Sequence, residues 1–314
     1  MENFKTYHKI KRLGDEENKE IFTNPEDEII IQEKIDGGNF RFAILNGKLI
    51  FGSRTQQLTN DEGEDTNLNK NFKRCVEFVR EKLTNCPHAF DLNLIFFGEC
   101  CVKHTISYDW DKIPPFLGFD IYDIKEERYL DYRECYELYT SFGLPMVPLV
   151  GIKKAGEIKD VTDKMVPISM YSLESAKDRK AEGVVYKNYT KQIFAKYVRD
   201  AFKERNAEAF GGSPKYNKTG EDNNADFVFK YCTNARIEKN IFKLIDGGEE
   251  LHMKLMAKLP KVVYEDIIQE EWREILTNKK WTINFQTLNK LITKRCLNVL
   301  VQIITNNALN NSEE

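Results

Sequence analysis

Short apolar runs closed by turn residues fill the first two hundred positions of this 314-residue chain, and they largely vanish beyond residue 224. That change of pattern constrains the fold more than any other feature. "EIIIQEKI" and "NFRFAIL" precede Asn46-Gly47, and "KLIFGSR" follows it. Asn-Gly between apolar runs is a strong hairpin signal, because both residues tolerate the positive φ of a tight turn. "LNLIFFGECC" and "FLGFDIYD" read as buried strands on either side of a loop holding Pro114-Pro115, and "AEGVVYKNY" with "QIFAKYV" as another strand pair.

Helical signals are fewer in this part. Phe72, Cys75, Val76, Phe78, Val79 and Leu83 predict a helix over 70–86, and "YRECYELYTSFG" predicts one ending at Gly143. Residues 200–209 read as a further helix. The polar stretch "GGSPKYNKTGEDNN" (211–224) has the composition of a linker. Beyond it, "NARIEKNIFKLI", "KVVYEDIIQEEWREIL" and "FQTLNKLITKRCLNVLVQIIT" place apolar residues three and four apart, as helices do. The expectation is an α+β domain over residues 1–232 followed by a small all-α domain over 233–314.

Composition supports two ordinary globular cores: 41% of residues are hydrophobic and 12% aromatic. No apolar run approaches the ~20 residues of a membrane span. The N-terminal "MENFKTYHKIKRLGDEENKE" lacks an apolar signal-peptide core, so a cytoplasmic protein without a membrane partner is expected. Seven cysteines without CxxC spacing and four scattered histidines (His8, His88, His104, His252) argue against zinc or a disulfide framework. The net charge of −3 carries no global nucleic-acid signal. Locally, residues 187–218 hold eight Lys/Arg against Asp200, Glu204 and Glu208, a strip of net charge +5 that could meet phosphates or be a solvated face.

Chemistry concentrates where strands end. The run Ile29-Ile30-Ile31 reads as a buried strand, yet it continues into Gln32-Glu33-Lys34-Ile35-Asp36 and then Gly37-Gly38. Lysine is rarely buried, because its ammonium is costly to desolvate unpaired. It acts as a nucleophile only when part of it is unprotonated, which nearby cations or desolvation promote. Lys187 and Lys196 stand at or near the ends of two further apolar strands, and three such lysines could converge on a polyphosphate. Each alone is more simply a side chain reaching to water. Glu99 and Glu182 are carboxylates beside glycines at strand ends, suited to ribose hydroxyls or Mg²⁺. Phe119 reads as a core aromatic or a base-stacking platform.

The order of these segments resembles the covalent nucleotidyltransferases. "EKIDGGNF" resembles their KxDG adenylation motif, "GSRTQ" the short arginine motif, and "FFGE" the third motif with "LGFDIY" as its aromatic companion. "EGVVYK" resembles the fourth motif and "AKYV" part of the fifth. Six segments in order across 33–198, followed by a helical C-terminus, resemble most the RNA ligase 2 family of ATP-dependent polynucleotide ligases.

The resemblance implies a nucleotidyltransferase fold, ATP-grasp-like, of antiparallel sheets with flanking helices. It also implies a three-step reaction through a lysyl-adenylate on Lys34 and an adenylylated polynucleotide, with Mg²⁺ (or Mn²⁺) as cofactor. It assigns Glu33 and Ile35 to the adenine region, Asn39 and Arg54 to phosphate and strand-joining steps, and Glu99 to the ribose. Phe119 would stack on adenine, Glu182 would assist a metal, and Lys187 and Lys196 would neutralise phosphate charge. The partner implied is RNA with 5′-phosphate and 3′-hydroxyl ends, as a nicked duplex, met by a monomer in RNA repair. One position departs: the fifth motif's second lysine is Val198 here. A capping guanylyltransferase using GTP, a DNA ligase and an inactive end-binding module are the competing readings; the first two usually carry an OB-fold where this chain has helices.

Overall fold

The computed structural model describes residues 4–68, 70–84, 92–102, 108–199, 223–277 and 282–310. It divides into two compact units, Met1–Arg199 and Asp200–Glu314.

The first unit is built on two five-stranded sheets. One sheet has the order β1 (Lys11–Arg12), β10 (Ile193–Val198), β9 (Gly183–Asn188), β2 (Glu28–Lys34), β8 (Leu149–Lys154), antiparallel except for the β1–β10 pair. The other has the order β4 (Lys48–Ser53), β3 (Gly38–Leu45), β5 (Leu94–Cys100), β6 (Phe116–Asp123), β7 (Arg128–Tyr129) and is antiparallel throughout. The expected hairpin joins β3 to β4, with Asn46 and Gly47 at φ of 51° and 71°.

Side chains alternate across each strand, so three apolar layers form. Phe40, Phe42 and Ile44 of β3 with Phe96 of β5 pack outward, against α1 (Lys70–Thr84) and α2 (Tyr132–Ser141). Ala43, Leu45, Ile95 and Phe97 of the same strands face inward, where they meet Phe194 of β10 and the N-terminal Phe4 and Tyr7. Ile29, Ile31, Val184, Tyr186 and Ala195 cover the far face of the first sheet. Asp131 caps α2 in a reciprocal box with Glu134, and Gly143 follows the helix at φ 63°.

The second unit packs α3 (Asn223–Tyr231), α4 (Asn234–Asp246), α5 (Leu259–Thr277) and α6 (Phe285–Asn310) around Phe227, Ile237, Ile241, Val263, Ile267, Ile292 and Leu300. Two expectations are corrected here. Asn223 and Asn224 are helical rather than linker, and Phe227, Val228 and Tyr231 belong to this core, so residues 223–232 lie in the second unit and not in the first domain. The cause is an amphipathic pattern hidden behind a polar start. The helix expected over 200–209 and residues 211–222 of the linker lie outside the described residues. No helix among the described residues is long and apolar enough to cross a membrane.

Candidate active site

Strand β2 ends on Lys34, and the chain then crosses from one sheet to the other through Ile35–Gly37 to enter β3. Gly37 is needed at that crossing: a Cβ there would lie 2.6 Å from the Cys100 carbonyl oxygen and 2.7 Å from Glu99 Cγ. The crossing therefore runs close against Glu99, which pairs with Asn39 across β3 and β5. Register on the other side does the same for Glu182, since Gly183 is the Cα partner of Lys34.

Lys34 Nζ donates to Glu182 Oε2 at 2.6 Å, with the two side chains 20% and 6% exposed. Burial of this amine opposes its charge, but the Glu182 and Glu99 carboxylates, the hydrogen bond to Glu182, and Asp36 outweigh burial and raise its pKa above the ordinary lysine value. The nucleophile expected from sequence is thus held protonated by the surrounding acids. No group of three or more His, Cys, Asp or Glu among the described residues could hold a metal by itself. Glu182 and its neighbours fit Mg²⁺ in the manner that ion favours, with one or two carboxylates and the remainder from phosphate oxygens and water.

By strand alternation, Lys34, Gln32 and Ile30 share the face of the first sheet that looks onto the second sheet. Val185 and Lys187 of β9, and Phe194, Lys196 and Val198 of β10, share that face by register. Asn39, Glu99 and Phe119 look back from the second sheet. Lys34, Asn39, Glu99, Phe119, Val185 and Lys196, on these two facing surfaces, are each only half-buried. The Asn39 Oδ1 is buried without a hydrogen-bond partner. Arg54 follows β4, half-buried, and the buried Arg41 guanidinium donates to the carbonyl of Ser53 just before it. Ile35 is buried in the crossing segment.

Two expected residues stand elsewhere. Lys187 is not drawn to Lys34 and Glu182 but is held by Asp120. Its Nζ is buried against Asp120 Oδ2 at 2.8 Å and donates to the Phe119 carbonyl at 3.0 Å. Asp120 also accepts from the Tyr7 hydroxyl at 2.5 Å and from Tyr189 at 2.6 Å, so the lysine's charge is already matched inside the protein. The structure thus shows Lys187 paired with Asp120, where the sequence expectation set it against substrate phosphate. Glu33 turns to the face opposite Lys34, toward Ser169. Its carboxyl is 3% exposed, Oε1 lacks a partner, and burial pushes its pKa up to about 7 against a lowering hydrogen bond from Ser169. Val198 is half-buried on the Lys196 face, while Arg199 is committed to Asp178 at 2.9 Å and to the Ala181 and Lys180 carbonyls. Within the basic strip, Lys187, Lys191 and Arg199 each hold an acid partner, which reduces its free charge; residues 200–218 lie outside the described set.

One residue was missed. Gln32, 1% exposed on the Lys34 face, has neither Oε1 nor Nε2 in a hydrogen bond. Counting back two residues from Lys34 would have found it.

The site thus brings a lysine amine and a buried carboxylate together where one largely antiparallel sheet hands the chain over to the other. The RNA ligase family model matches residues 27–203, over half of the chain, and the chain belongs to that family. Among solved structures, a glutamate-to-alanine mutant of Naegleria gruberi RNA ligase with ATP and Mn is 19% identical, with a TM-score of 0.48. It is matched over 64% of this chain and 58% of its own. The same ligase with PPi is 19% identical with a TM-score of 0.47, over 65% and 59% of the two chains. A lysine-to-methionine mutant with AMP and Mn is 20% identical, also at 0.47, over 64% and 58%. The chain thus spans less than two thirds of the length of each of these structures. No curated protein matches it in sequence.

Proposed function

We propose that this protein is an ATP-dependent RNA ligase that joins 5′-phosphate and 3′-hydroxyl ends through a lysyl-AMP on Lys34. The observation that carries the reading is the Lys34–Glu182 pair, 2.6 Å apart at the end of β2. Lys34 Nζ attacks the α-phosphorus of ATP and forms the P–N bond, while the bond to the bridging oxygen breaks and pyrophosphate departs. Glu182 Oε2 is the nearest acceptor for the amine's proton. Magnesium, or manganese in its place, would be held by Glu182 with phosphate oxygens and water, and supplies positive charge that weakens the carboxylates' hold on that proton. Lys196 and Arg54 balance phosphate charge, which is the main demand of phosphoryl transfer. Asn39 orients a phosphate, Glu99 accepts from the ribose hydroxyls, and Phe119 covers the adenine, with Ile35 beside it.

A 5′-phosphate oxygen then takes the AMP from Lys34, and the 3′-hydroxyl attacks the 5′-phosphorus and releases AMP. The family match lies almost wholly within Met1–Arg199, which supports nucleotidyl transfer by that unit and leaves the positioning of RNA to the helical unit. A nicked RNA duplex, met by a monomeric protein during RNA repair in the cytoplasm, is the substrate we favour. An RNA duplex carrying one nick with a labelled 5′-phosphate should be sealed by the full-length protein with ATP and Mg²⁺, faster than single-stranded ends. Neither sealing nor AMP transfer to the 5′-phosphate would overturn the reading.

A further inference from the structure

Charges inside proteins are paired, because an ion taken out of water without a counter-ion is strongly destabilising. Arg41 breaks that rule. It is 4% exposed, its Nε is buried without a hydrogen-bond partner, and no carboxylate pairs with it among the described residues. Its one hydrogen bond there runs from Nη1 to the Ser53 carbonyl, and its guanidinium lies 4.5 Å from the centroid of the Phe4 ring. Burial pulls its pKa down to about 10, with no acid to raise it again. An apolar side chain would spare the fold this cost, so the charge answers to something the protein itself does not hold.

Its location says what that is. By strand alternation Arg41 shares a face of β3 with Asn39 and with Ala43 and Leu45, which pack between the sheets. Its Cα partner on β4 is Gly52, and a Cβ there would stand 2.8 Å from the guanidinium carbon. The bare glycine lets the guanidinium lie across β4 and reach the Ser53 carbonyl. That carbonyl belongs to the peptide leading into Arg54, so Arg41 fixes the plane from which the Arg54 side chain departs. The turn holds Ser53 as well: its N–H donates to the Gln56 carbonyl at 2.8 Å, and its Oγ accepts from the Gln56 N–H at 3.1 Å. Arg54 is half-buried, and its side chain makes no ion pair or hydrogen bond among the described residues. Two guanidiniums thus flank Ser53, and neither is balanced by an acid.

We propose that Arg41 is a positioning residue for a substrate phosphate: it holds Arg54 in place, adds a second positive charge behind it, and leaves both charges to be balanced by that phosphate. A buried charge is screened less than a solvated one, so Arg41 strengthens the hold on an oxyanion at Arg54 without touching it. The inference rests on the nucleotidyl-transfer reading above, which supplies two sources of phosphate, ATP and the 5′ end of RNA.

The test uses the full-length protein, Arg41→Met and Arg41→Lys. For each, kcat and KM are measured for adduct formation with ATP and for sealing a nicked RNA duplex whose 5′ end already carries AMP. The Tm is read with and without inorganic pyrophosphate at fixed ionic strength. Arg41→Met should raise the Tm of the free protein, because an unpaired ion leaves the interior, and should shrink the further rise that pyrophosphate produces. It should also lower kcat/KM about tenfold or more in at least one of the two reactions. A loss confined to adduct formation assigns the phosphate to ATP, and a loss confined to sealing assigns it to RNA. Arg41→Lys keeps the charge and should recover most of what Arg41→Met loses. A lowered Tm with both reactions within about twofold of the parent overturns the assignment, as does a loss that Arg41→Lys does not recover. An Arg41→Met protein that fails to fold overturns it too, since the fold then needs the guanidinium for itself. If the unmodified protein forms no adduct and seals no nick, the nucleotidyl-transfer reading falls, and this inference with it.

Discussion

Replacing Lys187 by Met separates two accounts of a residue at which sequence and structure disagree. If Lys187 neutralised substrate phosphate, the variant would fold normally and lose activity. In the structure its ammonium is 2% exposed and its partner Asp120 is 0% exposed, with 2.8 Å between them. Breaking a buried pair by removing one partner costs about 3–5 kcal/mol, because the other charge is stranded. Here the two directions are unequal. Without Lys187, Asp120 still accepts from Tyr7 and Tyr189. Without Asp120, Lys187 keeps the Phe119 carbonyl and only the faces of Phe119 and Phe194, at 5.3 and 5.7 Å. Lys187→Met should therefore cost about 2–3 kcal/mol, and Asp120→Asn about 4 kcal/mol, in urea unfolding at neutral pH. The double variant should recover a substantial part of the sum, since neither charge then remains. Folded Lys187→Met protein should retain adduct formation with ATP. A Lys187→Met protein as stable as the parent but unable to form the adduct would refute this reasoning and restore the phosphate role.

The raised pKa of Glu33 makes a pH-dependent prediction. A carboxyl whose folded pKa is about 7, above its unfolded value, favours folding while protonated, so its contribution is lost as pH rises from about 4.5 to about 7. Glu33→Gln should then stabilise the protein at pH 8 by about 2–3 kcal/mol and change little at pH 4.5; equal effects at both would refute it. At the fifth motif, Val198 is half-buried on the Lys196 face, so Val198→Lys should fold with a loss within about 1 kcal/mol, whereas Lys196→Ala should lower the rate of adduct formation severalfold or more. An unfolded Val198→Lys, or a fully active Lys196→Ala, would contradict the placement of that strand face.

Local signals exposed much of the first unit in the sequence. The Asn46-Gly47 turn, the β9–β10 pair and the helix capped by Asp131 each rest on neighbours a few residues apart, and all three form. The two-residue strands β1 and β7 were not legible, because such short edges owe their existence to the strands they join. The helix starting at Asn223 was hidden by the polar run before it. At the site, the spacing of residues marked Lys34 and Glu182, but it could not reveal that Lys187 meets Asp120, 67 residues away in sequence, since burial and partner choice are tertiary facts. The same limit applied to Glu33 and Gln32. Their adjacency in sequence places them on opposite faces, and Glu33 Oε1 and both amide atoms of Gln32 lack partners only because of what the other elements bring near.

The central claim is that the Lys34 amine takes AMP from ATP. The most direct measurement incubates the full-length protein with ATP and Mg²⁺ and maps the product by mass spectrometry after proteolysis. The account predicts one AMP per chain, carried by Lys34, absent from Lys34→Ala and much reduced in Glu182→Gln. An adduct on another residue, or one that persists in Lys34→Ala, would contradict it.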